Sequence, residues 1–154
     1  MKSEDNNVSP GNNQAGQRSE TQVDKAAKVP AIECRNVWKI YGKNEKIAYE
    51  AVKTEHIGKE ECRDKYGCVI GVVDASFAVN PGEIFCIMGL SGSGKSTLIR
   101  HINRLIEPTD GQILINGTDI SALSKTEMRE LRSKKIGMVF QNMALLPYRN
   151  VRDN

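Results

Sequence analysis

One run of residues in this chain has the types and spacing for phosphate chemistry. Gly89, Gly94, Lys95 and Ser96 stand at Gly-x-x-x-x-Gly-Lys-Ser spacing, with Ser91, Gly92 and Ser93 inside the run and Thr97 after it. Each residue type has a physical use. Gly89, Gly92 and Gly94 admit positive φ angles and keep side chains away from a bound phosphate. The backbone N–H groups of such a loop can turn inward as an anion-binding nest. A helix starting at Lys95 adds unpaired N–H donors and the positive end of its dipole. The Lys95 ammonium would reach β- and γ-phosphates, and the Ser96 hydroxyl would ligate Mg²⁺. Thr97 is placed to touch the α-phosphate. The alternative is a Gly/Ser loop carrying one solvated lysine, which leaves the flanking pattern unexplained.

That pattern concerns the elements that must hold the loop. Glu83–Met88 (EIFCIM) is a nearly continuous apolar run, which predicts a strand buried on both faces of a parallel sheet. After the loop, Leu98, Ile102, Leu105 and Ile106 follow helical spacing, and Glu107-Pro108 ends the helix. Upstream, residues 31–40 and Val69–Val79 read as strands, the second interrupted by Gly71 and Asp74, with Asn80-Pro81-Gly82 as a turn. Downstream, Gln112–Ile115 and Ile136–Phe140 read as strands, and Asn116-Gly117 as a tight turn. Ser124 with Glu127 forms a capping box for a helix over 125–134. The order of elements predicts an α/β fold.

Residues 1–30 are rich in Asn, Gln, Ser and Gly and are predicted to be a disordered tail. Residues 43–68 are charged, with Ile47, Ala48, Ala51, Val52 and Ile57 spaced for a short amphipathic helix within a surface insertion. The whole chain has 154 residues, a length that suits one domain, and is 39% hydrophobic and 27% charged. Its net charge of +3 gives no argument for a nucleic-acid partner. The longest apolar run, Ile84–Leu90, is far short of a membrane span, and the N-terminal MKSEDNNVSPGNNQ lacks the apolar region of a secretory signal. Cys34 and Cys86 are predicted to pack in the core. His56, Cys62 and Cys68 are spaced poorly for zinc, so free thiols in a reducing cytosol are expected.

Beyond the tail, the chain resembles the ATP-binding subunit of an ABC transporter. The resemblance is carried by VDASFAVNPGEIFCIMGLSGSGKSTLIRHINRLIEPTDGQILINGTDI, by KKIGMVFQNMALLPYRNV, and by Ile32–Gly42. It implies a P-loop NTPase (ABC ATPase) core with an N-terminal antiparallel β segment, incomplete here, over residues 31–154. It gives Tyr41 the role of an aromatic platform for adenine; a partly buried strand-end tyrosine is the alternative. It makes Gln141 the glutamine that contacts Mg²⁺ or the attacking water; a strand-end surface glutamine is the alternative. Met143–Pro147 would lie beneath the membrane subunit, or simply pack in the core. The charged insertion, EIFCIMGLSGSGKST and NRLIEPTDGQILI look most like the glycine betaine/proline (quaternary-amine) importers.

The resemblance implies ATP and Mg²⁺ as cofactors. It implies a transmembrane permease subunit and a second ATPase subunit, head to tail, as partners, with a substrate-binding protein involved indirectly and no nucleic acid. The expected location is peripheral, on the cytoplasmic face of the plasma membrane. The family also uses an LSGGQ-type signature, an apolar run ending in Asp-Glu and a switch histidine, none of which occurs here. The chain therefore reads as an N-terminal fragment ending just after Gln141, with slow hydrolysis by itself. Two other readings stay open: a small P-loop kinase, for which Arg129, Arg132, Lys134 and Lys135 are the basic candidates, and a non-catalytic module that binds nucleotide or a partner.

Overall fold

The computed structural model describes residues 29–140 and 148–153. The predicted tail, apart from residues 29 and 30, lies outside them, as do Gln141 and Met143–Pro147.

Four strands form one antiparallel sheet. β1 (Ile32–Tyr41) lies between β2 (Val69–Val79) and β3 (Asp110–Ile115), and β4 (Thr118–Asp119) flanks β3. β1 does not keep a strict two-residue alternation. Cys34 and Val37 both join the cluster of Val72, Leu98, Ile113 and Met128, while Trp38 and Ile40 join a second cluster. Asn36, at φ 47°, takes up the extra residue, and the β1–β2 register shifts there. The distorted backbone is held by side chains. Asn36 N–H donates to Ser76 Oγ (2.8 Å), and Asn36 Nδ2 donates to Asp74 Oδ1 (2.8 Å).

The 43–68 segment is more than a surface insertion with one helix. It folds into α1 (Glu45–Glu55) and α2 (Lys59–Tyr66). Ala48, Tyr49, Ala51, Val52, Ile57, Cys62 and Cys68 are buried against Trp38, Ile40 and Ile70. Trp38 and Tyr49 meet edge to face at 5.4 Å, an arrangement that adds about 1 kcal/mol beyond the area it buries. Of the predicted apolar positions only Ile47 faces solvent. Cys62 and Cys68 serve as core packing, and no cluster of metal-ligating side chains exists among the described residues.

Two predicted strands are absent. Glu83–Met88 is irregular, with Ile84 91% and Met88 88% exposed, and Ile136–Phe140 is irregular with Val139 97% exposed. A strand of a parallel sheet exists through its neighbours, and among the described residues no strand pairs with either segment. Beyond the turn bond from Glu83 N–H to Asn80 O (3.1 Å), Glu83–Met88 is attached through side chains: Phe85 stacks on Phe77 at 4.9 Å, and Ile87 packs on the cluster of Val72 and Leu98. Cys86, expected in the core, is exposed for the same reason.

α3 (Lys95–Ile102) stops short of the expected proline boundary. Arg104 turns left-handed at φ 52°, its N–H donating to His101 O and Leu105 N–H donating to Arg100 O. This is a Schellman end with arginine where glycine is usual. Arg104 is held there by Glu107 Oε1 (2.7 Å) and by the carbonyls of Ile120 and Leu123. α4 (Lys125–Lys135) starts at the predicted capping box: Glu127 N–H donates to Ser124 Oγ, and Ser124 N–H donates to Glu127 Oε2.

Candidate nucleotide-binding site

The loop between Met88 and α3 adopts the conformation its glycines allow. Gly92 (φ 74°) and Gly94 (φ 95°) are left-handed, and Gly94 caps α3 without any side-chain hydrogen bond. The first-turn N–H groups of α3 therefore have neither intrahelical acceptors nor a side-chain cap. Gly94 is also pressed against β2: a Cβ there would lie 2.1 Å from the carbonyl oxygen of Gly71. That close approach fixes the start of α3 on the antiparallel sheet, with Leu98 and Val72 in the shared core.

Lys95 folds back over the loop. Its ammonium donates to Gly89 O (2.7 Å) and Leu90 O (2.6 Å), with Ser93 Oγ at 3.4 Å. All three donors of the ammonium thus face the loop interior. A phosphate oxygen in the loop would compete for them with the advantage of full negative charge. Ser96 is exposed at the start of α3. Its hydroxyl is the kind of hard oxygen donor Mg²⁺ accepts.

Tyr41 ends β1 on the same side. Its hydroxyl lies 3.4 Å from Thr97 Oγ1, and the Lys39 ammonium sits 5.2 Å from its ring centroid. Lys39 is in turn held by Glu45 of α1 at 3.5 Å. A cavity of about 230 Å³ is lined by Tyr41, Val69, Ile70 and Gly71 together with Gly92–Thr97. The fold thus brings Tyr41, Gly92, Ser93, Gly94, Lys95, Ser96 and Thr97 to one cavity. Gly89 and Ser91 belong to the same loop but not to that cavity's lining, and Gln141 lies outside the described residues.

One of the four basic candidates for the kinase reading is occupied. Arg132 is committed to the end of α3, its Nε donating to Asn103 O (2.8 Å) and its Nη2 to Arg104 O (2.8 Å). It is a helix-end clamp, where a lid arginine would need to be free to swing. Lys39, Glu45 and Gly71 are the neighbours of the site that sequence reasoning missed. For Gly71 a signal was present, since glycine inside a β-branched strand marks close approach of other atoms.

The family description "ABC transporter" matches residues 72–154. The glycine betaine/proline betaine transport system ATP-binding protein ProV of Escherichia coli (strain K12) is 52% identical over 123 residues, which cover 80% of this chain and 30% of ProV. The glycine betaine transport ATP-binding protein OpuAA of Bacillus subtilis (strain 168) is 50% identical over 123 residues, 80% of this chain and 29% of that protein. The trimethylamine N-oxide transport system ATP-binding protein TmoW of Pelagibacter ubique (strain HTCC1062) is 48% identical over 126 residues, 81% and 36% respectively. Among solved structures, a dimeric ATP-binding cassette in a post-hydrolysis state with ADP and Pi superposes with TM-score 0.57 at 30% identity, over 76% of this chain and 41% of that one. The chain spans about 30% of the length of ProV and OpuAA. The sheet, the phosphate-type loop and α3 are thus a portion of an ATP-binding cassette, and the chain belongs to the ABC transporter family.

Proposed function

We propose that this chain supplies the ATP-contacting face of the motor subunit of an importer for glycine betaine, proline betaine or related methylated amines. The observation that carries the reading is the cavity shared by Tyr41 and Gly92–Thr97, on a chain half identical to betaine-transport ATP-binding proteins. Tyr41 stacks on the adenine. The backbone of Gly89, Ser91, Gly92, Ser93 and Gly94 cradles the phosphates, Lys95 neutralises the β- and γ-phosphates, and Thr97 meets the α-phosphate. Ser96 and Gln141 would hold Mg²⁺. Bound Mg²⁺ would supply charge neutralisation along the phosphates. What the chain itself contributes is placement: a ring at one end of the cavity and an ammonium and helix N-terminus at the other.

The partners under this reading are a membrane permease, a second ATPase subunit, and indirectly a substrate-binding protein. The expected location is the cytoplasmic face of the membrane. No helix among the described residues is long and apolar enough to cross a membrane.

The test is in the producing cell. Lys95→Ala should abolish energy-dependent uptake of radiolabelled glycine betaine, with the protein still made in normal amount. Undiminished uptake would contradict the assignment.

A further inference from the structure

Gly71 stands where the β1–β2 register slips, opposite the step between Lys39 (paired with Val72) and Ile40 (paired with Ile70). It meets both halves of the proposed site. A Cβ on Gly71 would lie 2.8 Å from Cε2 and 3.4 Å from Cδ2 of Tyr41, and 3.3 Å from the Lys39 carbonyl oxygen. On its other side, the Gly71 carbonyl oxygen would lie 2.1 Å from a Cβ on Gly94. Gly71 is not among the residues with positive φ. The glycine is therefore used for space rather than for conformational freedom, and the space is filled by the Tyr41 ring.

We propose that Gly71 is a positioning residue for nucleotide binding. It lets the Tyr41 ring lie low on β2, at a height fixed relative to the loop that Gly94 caps. The ring is held from three directions: its edge rests on Gly71, its hydroxyl meets Thr97 and the Lys39 ammonium lies close to it. Base and phosphates are then received at a set separation, because the same peptide spaces the ring and the helix start. The inference rests on Tyr41 as the adenine platform, and it adds the residue that sets where that platform stands. A methyl group at position 71 would lift the ring and leave the Gly94 contact, made through the backbone carbonyl, in place.

The experiment titrates the full chain with ATP and with inorganic tripolyphosphate, which has no base to stack. Gly71→Ala should weaken ATP binding roughly tenfold, within the range expected for one lost base–aromatic stack, with tripolyphosphate affinity changed less than about twofold. Tyr41→Ala should give the same split. Gly71→Ala added to Tyr41→Ala should cost nothing further, and this double variant has no ring to clash with, so it reports even if the single variant folds poorly. An equal loss for both ligands in Gly71→Ala, or an added loss in the double variant, would show a packing role only and overturn the proposal. Unchanged ATP affinity in Tyr41→Ala would instead overturn the stacking reading beneath it.

Discussion

The hydroxyl of Tyr41 lies 3.4 Å from Oγ1 of Thr97, which ties the end of β1 to the first turn of α3 across 56 residues of sequence. This contact defines one wall of the cavity. It also separates two properties of Tyr41, its ring and its hydroxyl. Tyr41→Phe keeps the ring and loses only the long hydroxyl contact, so ATP affinity should stay within about twofold of the parent. Tyr41→Leu removes the aromatic face and should cost roughly tenfold. Calorimetric titration distinguishes the two. Equal losses would mean the hydroxyl, not the ring, recognises the nucleotide.

Gly94 should tolerate no side chain. Alanine there must hold φ near 95°, which costs about 1–2 kcal/mol for a residue with a Cβ. Its Cβ would also run into the Gly71 carbonyl. Gly94→Ala should therefore lose more than about 2 kcal/mol in denaturant unfolding. A loss below about 0.5 kcal/mol would mean that α3 is not seated on β2 as described.

His101 gives stability a pH dependence. The imidazole is fully buried. Its Nδ1 lies 2.7 Å from the Ile106 carbonyl, which assigns the proton to Nδ1, and Nε2 is buried with no partner. Burial, with a smaller contribution from the Lys39 charge, pushes its pKa below the ordinary histidine value. The folded state then binds fewer protons than the unfolded state once pH drops below about 6.5, so stability falls as pH goes down through that value. Thermal melts between pH 7.5 and 5 should show the decline, and His101→Gln should flatten it. An identical slope in the variant would place the titrating group elsewhere.

The inserted helices are tethered to the sheet by a polar chain. The Tyr49 hydroxyl donates to Asp110 Oδ2, and Lys53 Nζ donates to the Tyr49 oxygen (2.7 Å). The Tyr49 hydroxyl, helped by the Gly111 N–H, holds the Asp110 carboxyl below the usual carboxylate range. The tether therefore acts above the ordinary aspartate pKa and is lost as pH falls through the lowered one. Asp110→Asn should speed hydrogen exchange in 49–55 at pH 7 while leaving 98–102 unchanged. Equal exchange in the two proteins would show that packing against Trp38, Ile40 and Ile70 holds α1 without the tether.

What the sequence revealed was local. The Ser124–Glu127 box, the glycines of the phosphate-type loop and the β-branched Val69–Val79 all state their structure within a few residues, and all three form. Glu83–Met88 is different. An apolar run reports a demand for burial without saying which strand meets it, and no described strand does. α3 ended early because Arg104 found acceptors at Ile120 and Leu123, contacts invisible to helical periodicity. The site was legible as a list of residue types. Gly71 and Lys39 escaped notice because their part depends on how two distant strands pair.

Phosphate binding by the loop depends most directly on Lys95. Its ammonium already holds three oxygen atoms of the loop within 3.4 Å, at the mouth of the cavity that Tyr41 closes. Charge-assisted hydrogen bonds of this kind contribute about 1.5–3 kcal/mol each, so equilibrium titration of the Lys95→Ala chain with ATP should show affinity lower by roughly ten- to a hundredfold. ATP affinity equal to that of the parent chain, in a variant that melts at the same temperature, would contradict the phosphate-binding site.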